Sequence, residues 1–167
     1  MKKILRKVLP VIIPLSLGFF GVKIYEKIQA KNVVAESIAT LPAFSFTAMN
    51  NQQFSSSSIT SNTVIINLFN PECEHCRYMA QSFVQHANEI KDIQILMVTI
   101  ADSASVAKFA NEYGINKLSN VTLLLDRNFQ FEKIFGTSVV PSFFVYKGKK
   151  LVKKVTGETK IENLLSE

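Results

Sequence analysis

At 167 residues, 47% hydrophobic and 19% charged, the chain fits one ordinary domain with a short appendage, and this excludes wholesale disorder, collagen-like fibre and a polytopic membrane protein. The net charge of +6 is unevenly placed: residues 1–40 carry seven Lys/Arg against two Glu, and residues 41–167 carry twelve against eleven Asp/Glu. The folded part therefore lacks the basic footprint of a nucleic-acid-binding domain, and two cysteines exclude a disulfide-stapled scaffold.

Lys2, Lys3, Arg6 and Lys7 precede fifteen uncharged, mostly apolar residues from Val8 to Val22. This is the pattern of a signal peptide or a signal anchor. As a helix, residues 8–25 would be ~27 Å long, just short of a hydrocarbon core. An uncleaved anchor at 1–25 is the leading expectation and a cleaved signal the alternative. Residues 26–40 read as a linker, and 41–167 as the domain.

Phe44 and Phe46 alternate with polar residues before Asn50-Asn51 and Gln53-Phe54-Ser55, an expected N-terminal hairpin or extended arm. Thr63–Phe69 is a β-branched, apolar run of the kind that forms a strand buried on both faces. After Pro71 the period changes: Met79, Phe83, Ala87 and Ile90 make one helical stripe. Ile93–Ile100 is a second buried strand, and Asp102 or Ser103 caps a helix that ends at Gly114. Val121–Leu125 is a third strand. A short helical segment spans Asp126 to Gly136. A hairpin turning at Lys147-Gly148 follows, and Thr159-x-x-Glu162 is a capping box for a last helix. The expected class is α/β, a central mixed sheet flanked by helices, with the two crossovers placing helices on both faces.

Cys73-Glu74-His75-Cys76 lies between a buried strand and a helix start. At a helix N-terminus the unpaired N–H groups and the macrodipole favour a thiolate, and a protonated His75 acts in the same direction. Cys73 is then the exposed nucleophile. Cys76, one turn in, is the resolver of a mixed disulfide. A structural disulfide is the plainer alternative, but so short a loop restrains little chain entropy. Half of a zinc site is a poorer one, since no second cysteine pair exists. Val140-Pro141, between two apolar runs, either begins a strand or makes a cis turn whose backbone pairs with an extended substrate.

The strand, the Cys73–Cys76 helix start and Val140-Pro141 before a hairpin and a terminal helix together resemble the thioredoxin superfamily. The leader, the Leu41-Pro42-x-Phe44-x-Phe46 opening and Asn67-Leu68-Phe69 look more like the membrane-tethered, TlpA/ResA-like thiol–disulfide oxidoreductases, and the same opening occurs in AhpC/TSA-type redoxins. The resemblance spans residues 41–165. It implies a thioredoxin-like sandwich with an extra N-terminal β-hairpin. It also implies that Cys73 is nucleophile, Cys76 resolver and Pro141 the cis-proline, with Val140, Glu72 and Glu74 facing the substrate. The implied work is reducing disulfides of exported proteins from an anchored position outside the cytoplasm, or from the periplasm after cleavage. The implied partners are client proteins with cysteine pairs, a transmembrane electron donor and the membrane itself, with no cofactor or metal and a monomeric state. His75 beside Cys76 is also similar to periplasmic oxidising donors, so a disulfide-forming oxidant stays open, as does a non-catalytic binding module. Three departures are visible: Glu72 stands where the family commonly has tryptophan, Asn67 stands where thioredoxin has a buried aspartate, and the insertion that many tethered members carry between the second strand and its helix is absent; separately, Asn70 stands where a peroxidatic pocket would need threonine.

Overall fold

The structure, a computed structural model, describes residues 20–29 and 32–166. The basic patch and most of the expected leader lie outside the described residues. The chain divides into two units, Met1–Glu36 and Ser37–Glu167. In the first, residues 20–29 are helical with exposed side chains, and Lys23 pairs with Glu26 at 2.9 Å. Among the described residues no helix is long and apolar enough to cross a membrane. In the second unit Ile38 is already buried, and the Tyr146 hydroxyl donates to its carbonyl.

That unit holds β1 (Ser45–Ala48), β2 (Gln53–Ser55), β3 (Thr63–Leu68), α1 (Glu74–Gln85), β4 (Gln94–Thr99), α2 (Ser103–Tyr113), β5 (Val121–Leu125), α3 (Phe131–Phe135), β6 (Ser142–Lys147), β7 (Lys150–Thr156) and α4 (Ile161–Leu165). The strands form one mixed sheet in the order β2-β1-β5-β4-β3-β6-β7. β3, β4 and β5 are parallel, and the remaining pairings are antiparallel. The expected N-terminal hairpin is β1–β2.

Continuous apolar runs make the central strands because both faces are covered. Ile65, Ile95, Met97, Phe143 and Val145 pack with Met79 and Phe83 of α1, Val106 and Phe109 of α2, and Ile161 and Leu164 of α4. The other face carries an aromatic cluster in which Phe131 and Phe135 stack at 4.4 Å and meet Phe44, Phe46 and Phe144. The expectation that the two crossover helices lie on opposite faces is therefore corrected: α1 and α2 share one. The chain steps from β3 to β4 to β5 in a single direction, and right-handed crossovers made in one direction stack their helices on the same side. Phe135 is fully buried in the opposite face. Phe135→Ala should cost about 3–5 kcal/mol of stability, read as a lowered urea midpoint with an unchanged slope.

Two local signals resolve differently from their sequence reading. The Thr159–Glu162 capping box does not form: Lys160 is the N-cap without a side-chain bond, and the Thr159 hydroxyl accepts from Asn163 instead. The helix expected to run to Ile90 ends at Gln85, with the His86 ring bonded to the Ser82 carbonyl. Another signal holds: Asp102 caps α2 by accepting from the Ala104 and Ser105 amides. The expected hairpin forms, but its turn is one residue later than Lys147-Gly148: β6 runs through Lys147, and the turn is Gly148-Lys149, both at positive φ (53° and 72°), the geometry that matches strand twist in a two-residue hairpin.

Candidate active site

The carboxyl ends of β3, β4 and β5, the start of β6 and the end of β7 all lie at one edge of the sheet. Cys73 sits there as the N-cap of α1 with extended backbone (φ −79°, ψ 122°). Its approach is shaped by Asn70, whose side-chain oxygen accepts from the Glu72 amide and whose carbonyl accepts from the Cys73 amide. The Cys73 carbonyl accepts from the Cys76 and Arg77 amides at 3.1 Å, which starts the helix. Cys73 is half-buried and Cys76 is 1% exposed, and both are free cysteines. Burial pushes the Cys76 thiol from its ordinary 9.0 up to about 12; the Asn70 backbone pulls it down and the neighbouring Cys73 sulfur adds to the rise.

The Val140–Pro141 peptide bond is cis. The Cys73 thiol donates to the Val140 carbonyl at 3.9 Å. This loop is pinned on both sides, because Ser142 Oγ donates to the Val139 carbonyl and the Gly157 amide donates to the Pro141 carbonyl. Fold and sequence thus bring together two segments 67 residues apart. His75 meets the β7–α4 loop, with Nδ1 2.8 Å from Glu158 Oε2. Glu72 and Glu74 are exposed. Below the loop, Asn67 is buried and its amide donates to the Leu68 and Ser142 carbonyls. It is a fixed strut and offers no carboxylate for proton transfer.

Beside the cysteine loop lies a cavity of about 180 Å³ walled by Leu68, Asn70, Ile100, Phe129 and Val140. Ile100 and Phe129 are 60% and 65% exposed, and Phe129 holds φ 53°. The buried Asp126 carboxylate fixes this wall by accepting from the Gln130 and Phe131 amides. Sequence reasoning missed Glu158, Phe129 and Asp126. For Asp126 a signal existed, an acceptor placed before Phe-x-x-x-Phe after a strand. For Glu158 there was none, since its partner is 83 residues away.

A match to the AhpC/TSA family spans residues 39–155. The chain belongs to the AhpC/TSA family. Its neighbours among solved structures share the thioredoxin-like fold. A secreted Mycobacterium tuberculosis disulfide oxidoreductase homologous to E. coli DsbE is 20% identical, with a TM-score of 0.61 over 75% of this chain and 88% of that one. A candidate thioredoxin from Neisseria meningitidis is 26% identical, with a TM-score of 0.62 over 74% and 83%. StoA from Bacillus subtilis is 17% identical, with a TM-score of 0.58 over 75% and 96%. No curated protein matches the sequence. Within this AhpC/TSA domain Val140 is shared by two features: its carbonyl meets the Cys73 thiol, and the residue walls the apolar cavity.

Proposed function

We propose that this AhpC/TSA-family protein is an extracytoplasmic thiol–disulfide oxidoreductase that reduces disulfides of exported proteins. The observation that carries the reading is the placement of a half-buried Cys73 at a helix N-terminus, 3.9 Å from the Val140 carbonyl, with Cys76 buried one turn in. The Cys73 thiolate attacks one sulfur of a client disulfide. A Cys73–client bond forms, and the other client sulfur leaves as a thiolate. Cys76 then attacks the Cys73 sulfur, gives up its proton, and closes the Cys73–Cys76 disulfide. The client departs as a dithiol, reduced by two electrons, and the enzyme pair is oxidised by the same two. The departing client thiolate is the base nearest to the Cys76 proton, because Asn67 cannot take it.

The client strand pairs with the Val140 backbone, as extended peptides do at open backbone edges. The roles of Cys73, Cys76, Pro141, His75, Val140, Glu72 and Glu74 are those drawn from the sequence, with the two glutamates at the rim. The Glu158 carboxylate, 2.8 Å from His75 Nδ1, places a negative charge beside the motif, where an oxidant needs groups that stabilise the reduced thiolate; this favours the reductase direction. A dithiol spent on clients needs electrons from outside, so a transmembrane donor is part of the reading. The basic-then-apolar leader anchors the domain, or exports it if cleaved. The deciding measurement is the redox potential of the full chain. A value of about −270 mV with insulin reduction supports the reductase, and one of about −120 mV makes it an oxidant.

The cavity beside Val140 is sized for one apolar client side chain next to the reacting cysteine. Ile100→Ala combined with Phe129→Ala should lower kcat/KM about tenfold for peptide disulfides flanked by Leu or Phe. Reaction with a small aromatic disulfide reagent should be unchanged, which separates the lost pocket from lost chemistry.

A further inference from the structure

The two ends of the sheet carry opposite charge. At the cysteine end, Glu72, Glu74, Asp102, Glu158 and the buried Asp126 stand against Arg77, Arg127 and Lys160. At the far end, the loops present Lys91, Lys117, Lys147, Lys149 and Lys150 against Glu89 and Asp92. The three hairpin lysines stand within four residues. The separation follows the strand axis: β6 runs from Ser142 beside the cis-proline to Lys147 at the hairpin, a rise of ~17 Å.

The basic end is also where the preceding chain joins the domain. Thr40 bridges to Lys150, and the Leu41 amide donates to the Lys149 carbonyl at 2.7 Å. The apolar run with its own basic patch precedes this junction in sequence. The described residues 26–29 and 32–37 are helical, and the segment between Tyr25 and Ser37 would reach at most about 40 Å even if fully drawn out. Such a tether keeps the domain close to a bilayer but does not by itself choose which end faces it.

We propose that the lysine end, centred on the Lys147–Lys150 hairpin, docks on the anionic headgroups of the membrane that holds the leader, turning the cysteine end outward. The proposal rests on the reading of the leader as an anchor. Basic clusters next to a membrane segment are attracted within a screening length of the surface, and the acidic cysteine end is repelled by it. The juxtaposition of a basic sheet end with the tether junction is thus an orientation device. Its consequence is that clients meet Cys73 on the side away from the bilayer, and that the electron donor must present its thiols on a part that projects from the membrane.

The test uses the full chain in a C73S/C76S background carrying one labelled cysteine, either at Ser119 on the basic end or at Asn128 on the cysteine end. The protein is reconstituted into vesicles whose headgroups bear a quencher. With one-third phosphatidylglycerol (about 30%), the label at 119 should be quenched about threefold or more over that at 128. In pure phosphatidylcholine, or with ~1 M salt, the two should converge. The triple variant K147E/K149E/K150E should remove the difference, and the same substitutions on the native cysteines should leave insulin reduction in detergent unchanged, which shows that the fold is intact. Equal quenching of the two labels in phosphatidylglycerol vesicles, or a difference that survives charge reversal, overturns the proposal. Flotation with pure phosphatidylcholine vesicles in high salt reads the anchor separately. If the chain fails to float there, the anchor reading falls, and salt-reversible flotation with phosphatidylglycerol vesicles that is lost in the triple variant still supports the lysine surface.

Discussion

Cys73→Ser is expected to reduce the rate of insulin-disulfide reduction by about a thousandfold or more, to the uncatalysed background. The reason is local. Cys73 is the only one of the two sulfurs with access to solvent, and it stands 3.9 Å from the Val140 carbonyl, the proposed docking edge for a client strand. A serine hydroxyl is not ionised at neutral pH and cannot displace a thiolate from a disulfide. Cys76 cannot take over. It is 1% exposed, and its thiol is held protonated by burial, with its pKa pushed up to about 12. The same variant should therefore resist alkylation by iodoacetamide at pH 7 and become reactive only on denaturation. Full insulin reduction by this variant would remove the proposed chemistry. Overall folding is checked by an unchanged urea midpoint, since a half-buried sulfur-to-oxygen change leaves both covered faces of the sheet in place.

Cys76→Ser has the opposite signature. The first attack proceeds, and the enzyme stops at the mixed disulfide because no second sulfur lies one turn in to expel the client. Multiple turnover should fall about a hundredfold or more, while covalent complexes that collapse on adding dithiothreitol accumulate on non-reducing gels. The contrast between the two variants matters more than either alone. A structural disulfide would predict that both lose stability equally and that neither traps a partner. A binding module would predict no exchange in the parent protein. The Ile100/Phe129 double variant should trap fewer apolar-flanked clients in the Cys76→Ser background, because the cavity acts before resolution.

The position of His75 shows how a motif can be legible and its environment not. A histidine beside the second cysteine suggests a cation near the thiolate. In the fold, its ring turns to Glu158, which the end of β7 and the Gly157–Pro141 bond bring to that place. Nothing within a few residues of either side chain announces this. Asn67 is the complementary case: its identity excludes a buried proton acceptor on sight, while its role as a strut between β3 and β6 follows only from pairing it with Ser142.

Patterns that repeat over two to four residues were open to reading from the chain alone. Apolar runs, the Asp102 cap, the glycine stop at 114, the cysteine spacing and the proline after Val140 each reflect steric or hydrogen-bonding preferences that neighbours in sequence satisfy. Tertiary structure alone decided the strand order, the single face shared by α1 and α2, the failure of the Thr159 cap, the cavity under Phe129 and the basic end opposite the cysteines. These depend on which distant segments fill the same volume, and the free energy of burying one surface against another belongs to the pair of surfaces and not to either sequence.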